Sequence, residues 1–470
     1  MLHEWQTRLA RPAALASLVL FVLVLSYAAF KADAHRDAQL RVIANHQAEV
    51  ELAMTRWQAD LESLEQAGAD SGVPPWAGSP MDAVFASALP PGALADFAIG
   101  QRDLLPYFGS LSLWNPDIRL FAKHEFAEPV ALALGGFDLS KAVLLVSPLL
   151  LIILAFDVLS AERDAQRLSL TLVQGSNIAS LFRRRLLIRC GVVLAPVLLV
   201  SIGALVLNSD ATTFAARFTH YLLWLLGVGC YFGFWVALVA WVASRNARGV
   251  SNVLVLLLAW AGLTLVLPAV VSAVGETVYP MPSRLAYLAE SREVEIETEL
   301  AEPEITQRLV QDHPELFVGD ASAIPAYVRT AFLVTSMVDD ATGKILAEFE
   351  VAAQRREQAL ALMRFVSPAV ILHGFLNDVA GSSTSRHRRY FTQARAFKSA
   401  YAEYSGGFIL AGERLPAAEA AALPRFEFDD APWQALAMSH VPALLALVGI
   451  TGLLLLLAGR RIRRIGMLDE

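Results

Sequence analysis

The sequence predicts an all-α polytopic membrane protein with six transmembrane helices and two largely helical extracytoplasmic insertions. Its 470 residues are 56% hydrophobic and 18% charged, whereas an ordinary soluble domain has about 25% charged residues. Six apolar stretches are long enough to cross a bilayer, which takes about 20 residues in a helix. These predicted spans are 12–30, 142–160, 186–207, 221–243, 250–274 and 441–459.

The distribution of arginine orients the predicted spans, because short cytoplasmic segments carry an excess of basic residues. Arginines cluster in the N-terminal segment, in 161–189, after the fourth span and in 460–464. With six spans, all of these segments fall on one side. The one short loop on the other side, 208–220, has Arg217 as its only arginine or lysine. We therefore expect both termini to be cytoplasmic.

This topology divides the chain into five parts, two of which are long extracytoplasmic insertions. The parts are 1–30 with the first span, 31–141 as the first insertion, 142–274 with spans two to five and a cytoplasmic segment at 161–185, 275–440 as the second insertion, and 441–470 with the last span and a basic tail. The first insertion opens with a predicted helical stalk over 36–66 that continues from the first span. It then becomes rich in proline and glycine, which predicts loops and short helices.

The second insertion contains two predicted helices. One covers about 343–365 and ends before Ser367-Pro368, because a residue that precedes proline disfavours helical dihedrals. The other starts near Ser385, and its apolar positions recur at spacings of four and three, which predicts packing against the preceding helix. These positions are Tyr390, Ala394, Phe397, Tyr401 and Tyr404.

The start of the last predicted helix, "SRHRRYFTQARAFK" at 385–398, is basic and aromatic, as nucleic-acid-binding segments are. The net charge of the whole chain is −7, which gives no general electrostatic basis for nucleic-acid binding. We expect Arg386, Arg389 and Gln393 to lie along one flank of the helix. That flank faces either the acidic stretch 293–304 or anionic lipid headgroups.

The sequence contains no motif of a catalytic site. It has no P-loop, since "DDATGKI" at 339–345 lacks the first glycine and the hydroxyl residue, and it has no HExxH zinc motif or GxSxG nucleophile motif. Cys190 and Cys230 lie in apolar runs and are interpreted as buried thiols. The predicted spans have no charge near their centres, which argues against an ion-coupled carrier. We expect no cofactor or metal in this chain.

The segment between the second and third spans, "FDVLSAERDAQRLSLTLVQGSNIASLFRRRLLIR" at 156–189, carries the most specific pattern. As a bare sequence, it is a basic cytoplasmic loop with snorkelling arginines. It also resembles the type-2 ABC exporter permeases, whose second span ends in F-D-x-x-S-x-E-R-E-x-G-T-L before a leucine-rich segment. Phe156, Asp157, Ser160, Glu162 and Arg163 match, whereas Asp164 replaces a Glu and 167–169 departs from Gly-Thr-Leu.

The resemblance implies that this segment is a coupling helix that docks onto an ATPase subunit. Glu162 and Arg163 would anchor the end of the helix by charge pairing. The hydrophobic contact with the ATPase would come from Leu168, Leu170, Leu172 and Val173.

Both insertions resemble one subfamily of these permeases, which has two large periplasmic insertions. A Gly-x-Phe-Asp-Leu motif enters the second span at 135–139. The second insertion follows the order Ser-Pro, a leucine-rich stretch, Ala-Gly and then Arg-His-x-x-Phe-x-x-Gln. The residues that match this order are Ser367, Pro368, Ala380, Gly381, Arg386, His387 and Gln393.

The resemblance implies a multi-pass permease subunit in the inner membrane of a bacterium, preceded by an interfacial helix at its N-terminus. Its partners would be a separate ABC ATPase that holds ATP and Mg²⁺, a second copy or a sister permease, the lipid bilayer and a periplasmic partner. One alternative is a non-transporting assembly or sensor protein that binds a periplasmic partner. A more distant alternative is a membrane enzyme that uses His373 and His387 as a base pair.

Overall fold

The computed structural model describes residues 12–100, 105–117, 136–160, 178–245, 248–278, 289, 292–293, 296–297, 307 and 323–467. The described chain is mostly helical. Five of its helices are long and apolar enough to cross a membrane: Pro12–Ala67, Ala179–Leu207, Phe214–Ala243, Gly249–Gly275 and Trp433–Arg463. They correspond to the first, third, fourth, fifth and sixth predicted spans, so the chain is an all-α membrane protein in its apolar part.

The predicted second span is a shorter helix, α2, over Leu139–Ala155. Its 17 residues extend about 26 Å, slightly less than the hydrocarbon thickness of a bilayer. Most of its side chains are buried among the neighbouring helices. The helix therefore lies inside the bundle, and its role as a sixth span remains a prediction.

The first span and the stalk form one continuous helix, α1, over Pro12–Ala67. This confirms the prediction that the stalk continues from the span. The end of α1 is anchored outside the span bundle, because Trp57, Leu61 and Leu64 are buried there. The indole of Trp57 donates a hydrogen bond to the carbonyl of Ser79, at 2.9 Å.

The centre of the bundle is α4, Phe214–Ala243, which packs against α2, against α3 at Ile178–Leu207 and against α11 at Trp433–Met467. Its aromatic side chains bond to α2 across the core. The indole of Trp224 donates to Ser140 Oγ at 3.1 Å, and the hydroxyl of Tyr231 donates to the carbonyl of Leu144 at 2.9 Å. Such bonds are needed because an apolar core offers no water to buried polar atoms.

The fifth span contains a π-helical turn. It consists of α5 at Gly249–Ala261, the turn at Gly262–Val266 and α6 at Leu267–Val278. Pro268 follows the turn, and its missing N–H together with its ring disrupts regular helical hydrogen bonding one turn earlier. Backbone carbonyls in the turn are therefore available to other partners.

The first insertion contains a two-stranded antiparallel sheet. Strand β1 covers Val84–Ala88 and pairs with β2 over Phe108–Ser112. The prediction of largely helical insertions did not include this sheet. Side chains alternate between buried and half-buried along β1, but five residues within a segment rich in proline are too few to reveal this period in the sequence.

The second insertion contains the helices α7 to α10 among its described residues. They cover Ala326–Met363, Pro368–Ala380, Thr384–Ala411 and Ala417–Ala421. A 3₁₀ turn at Arg364–Val366 separates α7 from α8. The predicted helix end before Ser367-Pro368 and the predicted start near Ser385 are confirmed.

The aromatic seam of α9 packs mainly against the first insertion, rather than against the preceding helix. The ring of Phe85 in β1 lies 5.1 Å from that of Phe397 and 4.8 Å from that of Tyr401. The hydroxyl groups of Ser87 and Tyr390 are 3.0 Å apart. The prediction that the preceding helix covers these side chains was therefore wrong for most of them. Tyr404, the last of the predicted apolar positions, is exposed. The hairpin fills this place because its inward side chains need an apolar surface.

Candidate functional site

The coupling residues predicted from the sequence lie outside the described part of the chain. They are Glu162, Arg163, Leu168, Leu170, Leu172 and Val173. The two ends of their segment are described, and they are joined by a salt bridge. Arg189 Nη1 lies 2.6 Å from Asp157 Oδ1 and donates to the carbonyl of Leu154 at 2.8 Å. This ion pair holds the end of the second predicted span against the start of the third.

The second insertion sends one helix into the core of the span bundle. In α8, Leu372 and Phe375 are buried in the same hydrophobic cluster as the tryptophans of α4. A Cβ atom on Gly227 of α4 would lie 2.5 Å from Cδ1 of Phe375. Only glycine permits this approach without a shift of the ring, so α4 and α8 are fitted closely together.

The N-terminus of α8 is attached to the fifth span. Ser367 is the N-cap, and its Oγ accepts hydrogen bonds from the N–H groups of Ala369 and Val370 at 3.2 and 3.4 Å. The same hydroxyl donates to the carbonyl of Leu263 in the π-helical turn. Pro368 occupies the first helical position, where a missing N–H has no cost. The predicted Ser-Pro motif thus joins the second insertion to span five.

The C-terminal part of α8 is attached to the last span by a hydrogen bond between a histidine and a carboxylate. His440 Nε2 lies 2.6 Å from Asp378 Oδ2, and both side chains are mostly buried. Burial opposes ionisation of Asp378, but His440 and the hydroxyls of Ser383 and Ser385 outweigh it, so the pKa of this carboxyl lies below its usual range. A charged carboxylate beside His440 holds α8 to the beginning of the span.

The first insertion is attached to the third and fourth spans by a buried carboxylate. Asp96 Oδ2 lies 2.7 Å from Arg217 Nη2 in α4 and accepts a hydrogen bond at 3.0 Å from Asn208, which follows α3. Both charged side chains of the ion pair are buried. Breaking such a pair leaves an uncompensated charge, which typically costs about 3–5 kcal/mol.

The Gly-x-Phe-Asp-Leu motif attaches the first insertion to α2. Asp138 is the N-cap of α2, and its Oδ1 accepts from the N–H of Lys141 at 2.7 Å. Its other oxygen accepts from the N–H of Ile99 in the first insertion at 3.0 Å. Burial raises the pKa of Asp138, while these backbone donors favour its charged form. The sequence pointed to this motif without giving Asp138 a role.

Arg386 connects three segments of the chain. Its Nε lies 2.7 Å from Asp430 Oδ2, and its Nη1 donates to the carbonyls of Pro90 and Gly381 at 2.9 and 3.2 Å. The guanidinium also stands over the ring of Phe428, 5.2 Å from its centroid. Burial lowers the pKa of Arg386, and Asp430 partly offsets this effect. Arg386 thus joins α9 to the first insertion and to the segment that enters the last span.

His387 and Gln393 extend this connection. His387 Nε2 donates to the carbonyl of Pro106 in the first insertion. The amide of Gln393 makes two hydrogen bonds with the backbone of Asp429, at 2.8 and 2.9 Å. For Arg386 and Gln393, the partners are therefore residues 429–430 rather than the acidic stretch 293–304. The sequence missed this pairing because both partners lie far from α9 along the chain.

The two histidines proposed for a membrane enzyme have different partners. His373 Nε2 is 3.1 Å from the side-chain nitrogen of Asn377 in the same helix. Burial lowers the pKa of His373 to about 4, so its imidazole is neutral near pH 7. His387 instead uses its Nε2 hydrogen for the carbonyl of Pro106. The described geometry does not join the two rings in one site.

We define the junction as the set of contacts that join the two insertions to the spans and to α2. The sequence analysis missed three polar residues of the junction. Each is a single acid or histidine within an apolar segment, and this pattern could have indicated them. They are Asp96 in "ALADFAIG", Asp378 in "FLNDVAG" and His440 in "AMSHVPA". An ionisable residue in an apolar segment generally has a specific partner.

Comparison with known proteins gives one match. A family described as a domain of unknown function (DUF3526) matches residues 284–429. The matched segment contains α7 to α10, with Ser367, Arg386, His387 and Gln393, and it ends one residue before Asp430. No curated protein and no solved structure matches the chain.

Proposed function

We propose that this chain is the transmembrane permease subunit of an ATP-driven bacterial ABC exporter. It couples a separate ATPase to substrate export or to mechanical work in the periplasm. The observation that carries the proposal is the junction. Helix α2 and the third to sixth spans are each attached to an insertion by a polar contact that is mostly buried; the contact of span five is at its π-helical turn, and the others are at helix ends. These contacts are made by Asp138, Asn208, Arg217, Leu263 and His440.

The junction supports a coupling role because its contacts are specific and costly to break. Ion pairs and hydrogen bonds are stronger where water is excluded, and separating them leaves unsatisfied groups. A tilt of the spans would therefore move the insertions instead of sliding beneath them. The described spans also have no Asp, Glu, Lys or Arg near their middle, whereas ion-coupled transport usually places such groups there.

The cytoplasmic part of the proposal concerns the segment 161–185. Glu162 and Arg163 would anchor its helix, and the leucine-rich part would contact the ATPase, which supplies ATP and Mg²⁺ binding. Two observations support this role: the resemblance of 156–189 to the coupling segment of exporter permeases, and the ion pair of Asp157 with Arg189. That pair fixes both ends of the segment, so a force on it would reach two spans together.

The proposal includes the setting in which such a subunit works. The chain would lie in the bacterial inner membrane with both termini in the cytoplasm. It would pair with a second copy or with a sister permease above two ATPase subunits. A periplasmic partner would receive the motion of the insertions. The apolar helices support the membrane location.

The test is to purify the chain with its ATPase and to measure ATP hydrolysis and transport in vesicles. The double variant Glu162→Ala/Arg163→Ala should insert normally but lose most of the coupling between hydrolysis and transport. The matched control Asp33→Ala/Arg36→Ala removes an ion pair of α1 with an N–O distance of 3.4 Å and should keep it. Normal coupling in the first variant would refute the assignment of these residues.

Co-purification separates the permease from its main alternative. A stoichiometric ATPase with a P-loop, bound to the chain in mild detergent, is the expected result. If the chain instead purifies with a periplasmic partner and without any ATPase, the non-transporting assembly or sensor protein becomes the better explanation.

A further inference from the structure

A cavity of about 540 Å³ opens beside the beginning of the last span. Its walls come from the 3₁₀ turn after α7, from α9 and from the first turns of α11. They include three arginines, one aspartate, one histidine and three residues with side-chain hydroxyls. These residues are Arg364, Asp378, Ser385, Arg388, Arg389, Thr392, Ser439 and His440.

The charge in this cavity is predominantly positive. Arg364 contributes from one wall, and Arg388 and Arg389 contribute from α9. The carboxylate of Asp378 is already engaged by His440, at 2.6 Å. Arg389 Nη2 stands 3.8 Å from Asp430 Oδ1, which is longer than a hydrogen bond. The cavity walls thus hold three guanidinium groups, of which Arg364 also donates to the carbonyl of Ser439 at 3.3 Å.

Two nitrogen atoms in the cavity walls are buried and have no hydrogen-bond partner among the described residues. They are Nδ1 of His440 and Nε of Arg364. The side chain of His440 is only 7% exposed. Such unsatisfied groups are uncommon in folded proteins, and each costs about 1–3 kcal/mol. Arg364 Nε always carries a hydrogen, so an acceptor oxygen of a bound group would satisfy this nitrogen.

The cavity lies between the second insertion and the beginning of the apolar run in the last candidate span. His440 directly precedes the apolar run of the last span. Phe365, Val366, Met438 and Val441 are exposed and apolar, and they neighbour cavity residues along the chain. A ligand here would meet arginines at one end and apolar side chains at the other. A phospholipid has that distribution of polar and apolar groups.

We propose that the cavity binds the phosphate of an anionic phospholipid from the adjacent leaflet. The guanidinium groups of Arg364, Arg388 and Arg389 provide planar, bidentate donors for its oxygens. The acyl chains lie along the exposed apolar side chains. Basic pockets beside transmembrane helices are a recurrent form of lipid recognition. The proposal goes beyond the function proposed above, since binding requires neither an ATPase nor transport.

The experiment uses the full chain, purified without any ATPase in a neutral detergent. Dioctanoyl-phosphatidylglycerol is titrated into it, and binding is followed by calorimetry. Arg388→Gln/Arg389→Gln should weaken binding about tenfold or more, because each charge-assisted bond contributes substantially. The matched control Arg355→Gln/Arg425→Gln removes two arginines of the same insertion outside the cavity and should bind as the unmodified chain does.

Two further measurements test whether the phosphate belongs to a lipid and whether weaker binding reflects a changed cavity rather than misfolding. Inorganic phosphate should bind much more weakly than the lipid, because it lacks the acyl chains. Ala435→Trp keeps every charge but fills part of the cavity, so it should also weaken lipid binding. Equal lipid affinity in the cavity variants and the control would overturn the proposal. Arginine-dependent binding of inorganic phosphate alone would overturn the lipid as its source.

Discussion

Substitution of Lys398 by methionine should destabilise the part of the protein that the two insertions form. Lys398 is 4% exposed, and its Nζ lies 2.8 Å from each of three oxygens: the carbonyl of Asn115, Oδ1 of Asp117 and Oδ2 of Asp339. It therefore joins the first insertion to α7 and α9. Methionine has a similar length but no charge, and it leaves two neighbouring carboxylates with Arg395 as their closest cation.

The size of the effect follows from the burial of the three charges. Removing one partner of a buried pair costs about 3–5 kcal/mol. The side chains of Asp117 and Asp339 are 18% and 24% exposed, so water compensates part of the loss. We therefore expect a decrease of about 2–4 kcal/mol in the free energy of unfolding.

The pKa values of the two carboxylates predict how the loss of stability in the variant changes with pH. Burial opposes ionisation of Asp117, but Lys398 and Arg395 outweigh it and hold its pKa below the usual range. Burial and the charge of Asp117 together raise the pKa of Asp339 despite Lys398. Without Lys398, both folded-state pKa values should rise above the unfolded ones. The folded variant then binds more protons, so its deficit should shrink as pH falls.

The assay is thermal unfolding of the detergent-solubilised chain, followed by tryptophan fluorescence at about pH 8 and about pH 5. The variant should lose most stability at the higher pH. Lys344→Met is a matched control, because Lys344 is an exposed lysine of α7. A variant that unfolds like this control, or whose deficit grows at low pH, would refute the reasoning.

Two further predictions concern the junction. Asp96→Asn and Arg217→Met should each lower the free energy of unfolding by about 3–5 kcal/mol. The double variant should lose less than the sum of the two single losses. Additive losses in thermal unfolding would contradict a direct pairing. Gly227→Ala should cost about 1–3 kcal/mol, because the new Cβ meets the ring of Phe375. Gly203→Ala, with no neighbour within 4 Å, should be neutral or stabilising, and equal losses in both glycine variants would remove the packing explanation.

Features with local signals could be predicted from the sequence. The continuation of the first span into the stalk follows from the absence of glycine, and of any further proline, between Pro12 and Ala67. The break between α7 and α8 follows from Ser367-Pro368, since proline restricts both its own backbone and that of the preceding residue. Such constraints act over a few residues, so no knowledge of distant partners is needed.

The placement of α8 could not be predicted in the same way. Its 13 residues are too few for a span, and its apolar character is equally consistent with the core of an extracytoplasmic domain. Its position depends on close packing at Gly227 and on the hydroxyl of Ser367 meeting a carbonyl of the π-helical turn. Both conditions involve residues more than 100 positions apart, for which a single sequence has no periodic signal.

The location of the buried charges connects the fold to the proposed function. Within the described residues, the ion pairs Asp96–Arg217 and Asp157–Arg189 join segments at the ends of the spans, and the hydrogen bond between Asp378 and His440 does the same. A pair at the centre of a bilayer would be costly and would favour an ion pathway. A pair at the end of a span resists separation of the two segments while the apolar helices remain free to tilt in lipid. This distribution favours transmission of force between the two membrane faces over conduction of ions through the bundle.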